Sequence, residues 1–371
     1  MQLLKSNSLI ENIEANIQPA TGEGQSFLVV KVDEANPWVY GANVSNYDNV
    51  STGAERFGVS LGYLNLTGSG DSVLASFNRA FDADTWEIDA NYNLPINAKN
   101  GTLQLRTNIE RNEIIAEGFE DLNFEGESEL YEISFRQPLI RNLRKEFALS
   151  LGFSRQSSRN FINDVRLTEP TRTSVVKFGQ DYTYRDPKGV WALRSQLNFG
   201  VDIFGTTVNN NNEQPDGLFF SWLGQAQRLQ RLNSKNLLII QSNIQFTPDN
   251  LLPSEQFTIG GAFSVRGYRQ NARLGDNGLS FSVEDRISVV KNADNNNILQ
   301  LAPFAELGVV WNNSSDDPDD NFLAGIGLGI LWQPISDLDI RLDYAPPLVD
   351  LDDKGDNVQE DGFYFSINYN K

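Results

Sequence analysis

The 371-residue chain carries 23 Phe, 11 Tyr and 6 Trp but neither Cys nor His, which removes disulfides, thiolate and imidazole metal sites, and the commonest nucleophile and general base. Its formal net charge of −19 has the wrong sign for a phosphate-binding surface, and no cluster of Lys and Arg relieves it, so nucleic acid is excluded as a partner. No window approaches the roughly eighteen consecutive apolar residues of a membrane helix, but spanning strands stay open because their apolar residues alternate with polar ones.

Residues 1–35 stand apart from the rest. Met1 to Asn7 contain neither an apolar run nor a small-residue cleavage site, so either the chain is an amino-terminally shortened piece or it never leaves the cytoplasm. Leu9 to Ile17 and Phe27 to Val32 read as two strands joined by a turn through Pro19 to Gly24. Two strands are too few to hold a core, so they read as the tail of a domain whose beginning is missing.

From residue 36 onward, strand and turn alternate to the carboxy terminus. Alternation and turn residues predict strands near 37–47, 54–67, 70–80, 84–95, 100–112, 127–140, 144–158 and 172–185. Eight more follow near 189–205, 217–232, 235–247, 277–290, 297–312, 321–333, 337–345 and 361–370. Sixteen is an even number, as a closed antiparallel bacterial barrel requires. The faces are clearest late in the chain: Leu338, Ile340, Leu342 and Tyr344 oppose Asp339, Arg341 and Asp343, and Phe322 to Trp332 alternate with Gly325, Gly327 and Gly329. In a soluble sandwich the apolar face would be core; in a membrane barrel it faces lipid and the charged face lines a wet lumen.

Loop lengths separate these possibilities. Long polar connections at 117–126, 159–171, 206–216, 248–276, 313–320 and 346–360 alternate with tight turns such as 97–100, 186–189, 233–235 and 336–337. Long loops at one end and short turns at the other are an outer-membrane arrangement. The six Trp fall near predicted strand ends, as an interfacial girdle would.

One loop carries a denser signal. Gly260-Gly261-Ala262-Phe263-Ser264-Val265-Arg266-Gly267-Tyr268 sets a lone arginine in a glycine-rich loop between the eleventh and twelfth strands. Phe304-Ala305-Glu306-Leu307-Gly308 puts a carboxylate on the thirteenth strand. A guanidinium in a narrow lumen gains from a bidentate carboxylate, and the glycines let a hairpin fold tightly in a crowded barrel.

These motifs resemble those of the two-partner secretion transporters, the TpsB family of the hemolysin activation and secretion type. That family belongs to a superfamily of outer-membrane barrels with periplasmic POTRA domains. The resemblance covers the whole chain: residues 1–35 resemble the end of a POTRA domain, and 36–371 the barrel. It implies an inward-folded loop bearing Val265, Arg266, Gly267 and Tyr268, with Gly260 and Gly261 at its entry. It also implies a partner motif, Phe304, Glu306 and Gly308, in which Glu replaces the family's Asp and lengthens the carboxylate by one methylene.

The implied function is a pore in the bacterial outer membrane that secretes a partner exoprotein, working as a monomer among outer-membrane lipids and lipopolysaccharide, with no enzymatic activity, cofactor or metal. Two alternatives stay open, a BamA-like insertase of outer-membrane proteins and a passive diffusion porin. Two readings also stay open for Glu284 and Arg286, which share a register with Ser280 and Ser282: part of the network around Arg266, or ordinary lumen charges. The acidic run at Asp316, Asp317, Asp319 and Asp320 lacks calcium-loop spacing and contains Pro318, so it reads as a solvated outer loop, as does Asn209 to Asn212.

Overall fold

The computed structural model describes residues 9–19, 25–116, 123–163, 165–167, 169–209, 214–314 and 317–371. Asn210 to Asn212 and Asp316 lie outside the described residues. β1 (Ile10–Pro19) and β2 (Ser26–Glu34) form an antiparallel hairpin of their own. Phe27 and Val29 on one face, and Leu28, Val30 and Val32 on the other, are exposed, while Ile13, opposite Val32, is buried, so most of the apolar surface of this sheet is left open.

The barrel wall begins with β3 (Trp38–Ser45), β4 (Arg56–Leu64), β5 (Ser72–Ala80), β6 (Trp86–Pro95), β7 (Thr102–Glu113), β8 (Phe124–Arg141) and β9 (Lys145–Ile162). The two-residue β10 (Val165–Arg166) folds back on β9. The wall continues with β11 (Thr171–Asp186), β12 (Gly189–Gly200), β13 (Phe220–Arg231) and β14 (Asn236–Phe246). Within the next connection lie the short β15 (Phe257–Ile259) and β16 (Arg273–Gly275), paired with each other. β17 (Asn277–Lys291), β18 (Asn297–Trp311), β19 (Phe322–Ile335), β20 (Leu338–Tyr344) and β21 (Phe363–Asn370) complete it. Every neighbour is antiparallel, and β21 pairs with β3 from Ser366↔Ser45 to Asn370↔Gly41, closing a barrel of sixteen wall strands among the described residues. Closure leaves the wall without a free sheet edge, the condition for spanning a membrane with strands.

All sixteen expected strands occur in place. β8 and β9 run farther toward the long-loop end than alternation alone predicts, because Arg159 pairs with Glu127 and Glu129 there, and Arg111 with Glu125. Charged cross-strand pairs hold the ladder together past the point where apolar alternation stops.

The faces sort as the period-2 pattern requires. On β19, Ile326, Leu328, Ile330 and Trp332 point outward and are exposed, while Gly325 and Gly329 face the interior. Inside, charges are paired across strands: Lys177 with Glu132, Arg106 with Asp89, and Arg136 with Glu146 and Asp181. An apolar outer belt with a polar, charge-paired interior is the inverse of a soluble protein.

Candidate functional site: an arginine held in the barrel lumen

The connection between β14 and β17 folds into the lumen instead of projecting outward. Ile259, Val265, Tyr268 and Ala272 pack with Val310 of β18 and Leu323 of β19, and Val349 and Leu351 of the β20–β21 connection cover them. The loop thus carries its own small core, glued to one side of the wall. Gly260 makes the entry turn possible: its φ is +105°, and a Cβ there would stand 2.7 Å from the Arg269 carbonyl oxygen. Gly261 has φ +93° beside it. At the tip Gly267 has φ +106° and lies against the backbone of Ala345 and Pro347.

That tip places Arg266 in a polar cluster, with 5% of its surface exposed. Glu306 accepts from the Arg266 backbone N–H at 2.8 Å and from Nε at 3.1 Å on both carboxylate oxygens, and it also takes a bond from Nη2. Its longer side chain therefore clamps both the backbone and the guanidinium of one residue. The Phe304 ring lies flat beneath, 3.3 Å from Arg266 Cζ to the ring centroid, a stacked cation–π contact. Glu284 sits 3.3 Å from Nη2, and Asp343 3.2 Å from Nη1.

A second layer holds these carboxylates. Arg341 bonds Glu284 at 2.6 Å and Asp343 at 2.7 Å, and Arg286 bonds Glu284 at 2.7 Å. Three arginines and three carboxylates thus form a formally neutral cluster spanning β17, β18, β20 and the loop. Neutrality matters because a buried charge is tolerated when paired and penalised heavily when not. The structure brings together Val265, Arg266, Gly267, Tyr268, Phe304, Glu306, Gly308, Glu284 and Arg286. For Glu284 and Arg286 the network is the arrangement found.

Several members escaped sequence reasoning. Asp343 and Arg341 stood on the charged face of their strand, but nothing in the alternation said which charge they would meet. Tyr364 is a further one: its hydroxyl accepts from the Gly267 N–H at 2.8 Å and donates to the Tyr268 carbonyl at 2.6 Å. The glycines of β19 are another. A Cβ at Gly325 would stand 2.3 Å from the Arg266 carbonyl oxygen, and one at Gly327 2.4 Å from the Phe304 ring. Gly308 likewise leaves room for Ile259 and Val265. The signal was the glycine at every second position, which vacates an inward face.

On the long-loop side the inward loop is tied to the β20–β21 connection. Arg269 bonds Glu360 at 2.7 Å and also Asp353, and Arg273 bonds Asp353 at 2.9 Å. Of the acidic run, Asp320 approaches the same Arg273 at 3.9 Å, and Asp317 accepts the Asn312 N–H. Burial alone would raise the Asp353 carboxyl, but hydrogen bonds from Arg273 and Arg269 outweigh it and hold it down at about 2. A depressed carboxyl stabilises the folded arrangement above its free value near 4, and that contribution fades as pH falls toward 2. Current fluctuations of the barrel in planar bilayers are therefore expected to stay constant from about pH 8 to 4 and to grow only between about pH 4 and 2. Asp353→Asn should fluctuate at every pH, and growth already at pH 6 in the parent chain would remove Asp353 as the tie.

On the short-turn side the cluster borders a cavity of about 780 Å³, lined by Arg286, Asp339, Arg341, Ser366 and Asn368 among others. Each charge of the cluster is matched by an oppositely charged partner within it. What the cluster does is hold a loop inside a polar pore.

The profile of the family of haemolysin secretion/activation proteins ShlB/FhaC/HecB matches residues 24–331. The chain belongs to that family. Family members are outer-membrane transporters rather than enzymes, and the barrel described above is of that outer-membrane kind. Among curated relatives of the family, the outer membrane transporter CdiB of Dickeya dadantii is 23% identical over 329 residues, 86% of this chain and 58% of its own length. The heme/hemopexin transporter protein HuxB of Haemophilus influenzae is 21% identical over 376 residues, 96% of this chain and 65% of its own. The solved structure of CdiB from Escherichia coli superposes with a TM-score of 0.83 at 20% identity, covering 98% of this chain and 69% of that one. This chain thus spans about three fifths of the length of these two curated relatives.

Proposed function

We propose that the barrel is a translocation pore that secretes a partner exoprotein across the outer membrane. The observation that carries this reading is the lumen loop pinned by Arg266 in a neutral cluster, above a cavity open toward the short-turn side. A porin needs only a constriction, whereas a protein-sized cargo needs an obstruction that can be withdrawn. A loop held by hydrogen bonds and ion pairs to both wall and outer connection has this character, because its bonds can be exchanged for bonds to a passing extended chain.

The β1–β2 hairpin is read as part of a POTRA domain on the periplasmic side. Its exposed Ile17, Phe27, Leu28, Val29 and Val30 fit the sheet of such a domain, and a free strand edge there would take an extended secretion signal by strand addition. The pore is read as a monomer in contact with outer-membrane lipids and lipopolysaccharide. No phosphate-binding loop occurs in the sequence, so folding of the exoprotein outside the cell is the proposed driving force.

The test is co-expression of the gene's complete product with the exoprotein from the adjacent reading frame, measuring exoprotein in the medium. Export should vanish when the barrel is deleted, and unchanged export would end the proposal. If many outer-membrane proteins decline instead of one secreted protein, the insertase reading replaces it.

A further inference from the structure

The connection between β12 and β13 begins by folding outward over the wall rather than away from it. Its backbone is stitched to β11: Val201 N–H donates to the Ser174 carbonyl at 2.9 Å, the Ser174 hydroxyl to Ile203 O at 2.8 Å, and Arg172 N–H to the Thr207 hydroxyl at 2.9 Å. At the bend Phe204 takes φ +53°, left-handed backbone that a bulky side chain rarely adopts, and its ring is left 67% exposed beside Phe153. Strain of this kind persists only where surrounding contacts impose it.

Two arginines converge on that bend from the outer face of the wall. Arg155 Nη2 donates to the Phe204 carbonyl at 3.1 Å, and its Nε is buried without an acceptor. Arg172 Nη1 lies 3.9 Å from where a side chain on Gly205 would begin. Among the described residues neither guanidinium forms an ion pair, whereas Arg159 on the same face of β9 is matched by Glu127 and Glu129. Toward the short-turn end, the same outer surface opens into an apolar groove of about 750 Å³ lined by Leu105, Tyr131, Ile133, Phe153, Arg155 and Phe204.

We propose that this is a binding site for one phosphorylated, multiply acylated glycolipid of the outer leaflet. Arg155 and Arg172 take the phosphate, and the groove beneath Phe204 takes an acyl chain. Three features argue for this occupant. The site lies at the long-loop end of the wall, just past the apolar Leu151 and Phe153, at head-group depth on the outside. Guanidinium forks match phosphate oxygens bidentately, and two of them without carboxylate partners among the described residues, at a lipid boundary, favour an anion. A chain of net charge −19 repels anionic lipid in general, so an unneutralised cationic pair joined to an apolar groove marks one place where it is accepted.

The test is native mass spectrometry of the delipidated barrel in detergent, titrated in parallel with bis-phosphorylated lipid A, dephosphorylated lipid A and phosphatidylglycerol. Phosphorylated lipid A is expected to bind about tenfold or more tightly than either comparison lipid, and R155Q/R172Q should erase that preference. Equal binding of phosphorylated and dephosphorylated lipid A would overturn the phosphate site. Phosphatidylglycerol binding as tightly as lipid A would overturn the glycolipid assignment, and an unchanged preference in the double variant would remove Arg155 and Arg172. Heat-modifiable gel mobility confirms that the variant is folded, and the comparison of lipids on the parent chain needs no variant.

Discussion

Arg266→Ala is expected to lower exoprotein export by at least about tenfold while leaving most of the barrel folded in the outer membrane. The cluster around it is neutral with three arginines and three carboxylates, and removing one arginine leaves a net negative charge among Glu284, Glu306 and Asp343, all less than a tenth exposed. Breaking a buried pair by deleting one partner destabilises by about 3 to 5 kcal/mol. That loss falls on the docking of the loop, because the wall strands keep their own ladders without it. Arg266→Lys should be intermediate, retaining the charge but losing the fork that engages Glu306 and Asp343 together. Export and heat-modifiable barrel are to be measured side by side. Loss of both by the same factor would make Arg266 a folding residue.

The second large effect concerns a residue without a side chain. In Gly325→Ala the new methyl would stand 2.3 Å from the Arg266 carbonyl oxygen, and that oxygen belongs to backbone, which cannot swing aside as a flexible side chain could. Strand β19 itself tolerates the change, since its ladder is formed by backbone groups and glycine is a poor strand residue. The loop is therefore expected to leave its seat, with bilayer conductance rising severalfold and export falling as in Arg266→Ala. Ile326→Ala, one residue along on the lipid face, serves as the control and should leave conductance unchanged. A Gly325→Ala barrel with parental conductance would mean that the loop is not held where its carbonyl now lies.

The strands were legible because a barrel wall repeats one simple instruction. Each strand alternates an apolar residue against lipid with a polar one against water, so Leu338 to Tyr344 and Phe322 to Trp332 could be assigned faces without knowing their neighbours. The loop was legible for a different reason. Glycines bracketing a single arginine, with a Phe-x-Glu-x-Gly strand downstream, form a pattern that an ordinary turn does not need. Asp343 and Arg341 were visible only as charged members of one strand face, because alternation assigns a side and not a partner. The outward fold of the β12–β13 connection was misread: alternation carried the predicted strand through Phe204 to residue 205, whereas β12 ends at Gly200 and the chain turns out over the wall there.

The amino-acid order by itself determined the antiparallel wall, its sixteen strands, which face meets lipid, which end bears the long loops and which loop carries the arginine. These are local properties, written in period 2 and in turn residues within about a dozen positions. The family resemblance already implied the inward loop and its Glu306 partner; the tertiary structure alone decided that the arginine also meets carboxylates on β17 and β20, with Tyr364 gripping Gly267 across 97 residues of chain. Those meetings depend on strand tilt and curvature when the sheet closes, and on inward glycines vacating room for a backbone. Both are set by the whole circuit of the barrel rather than by any segment of it.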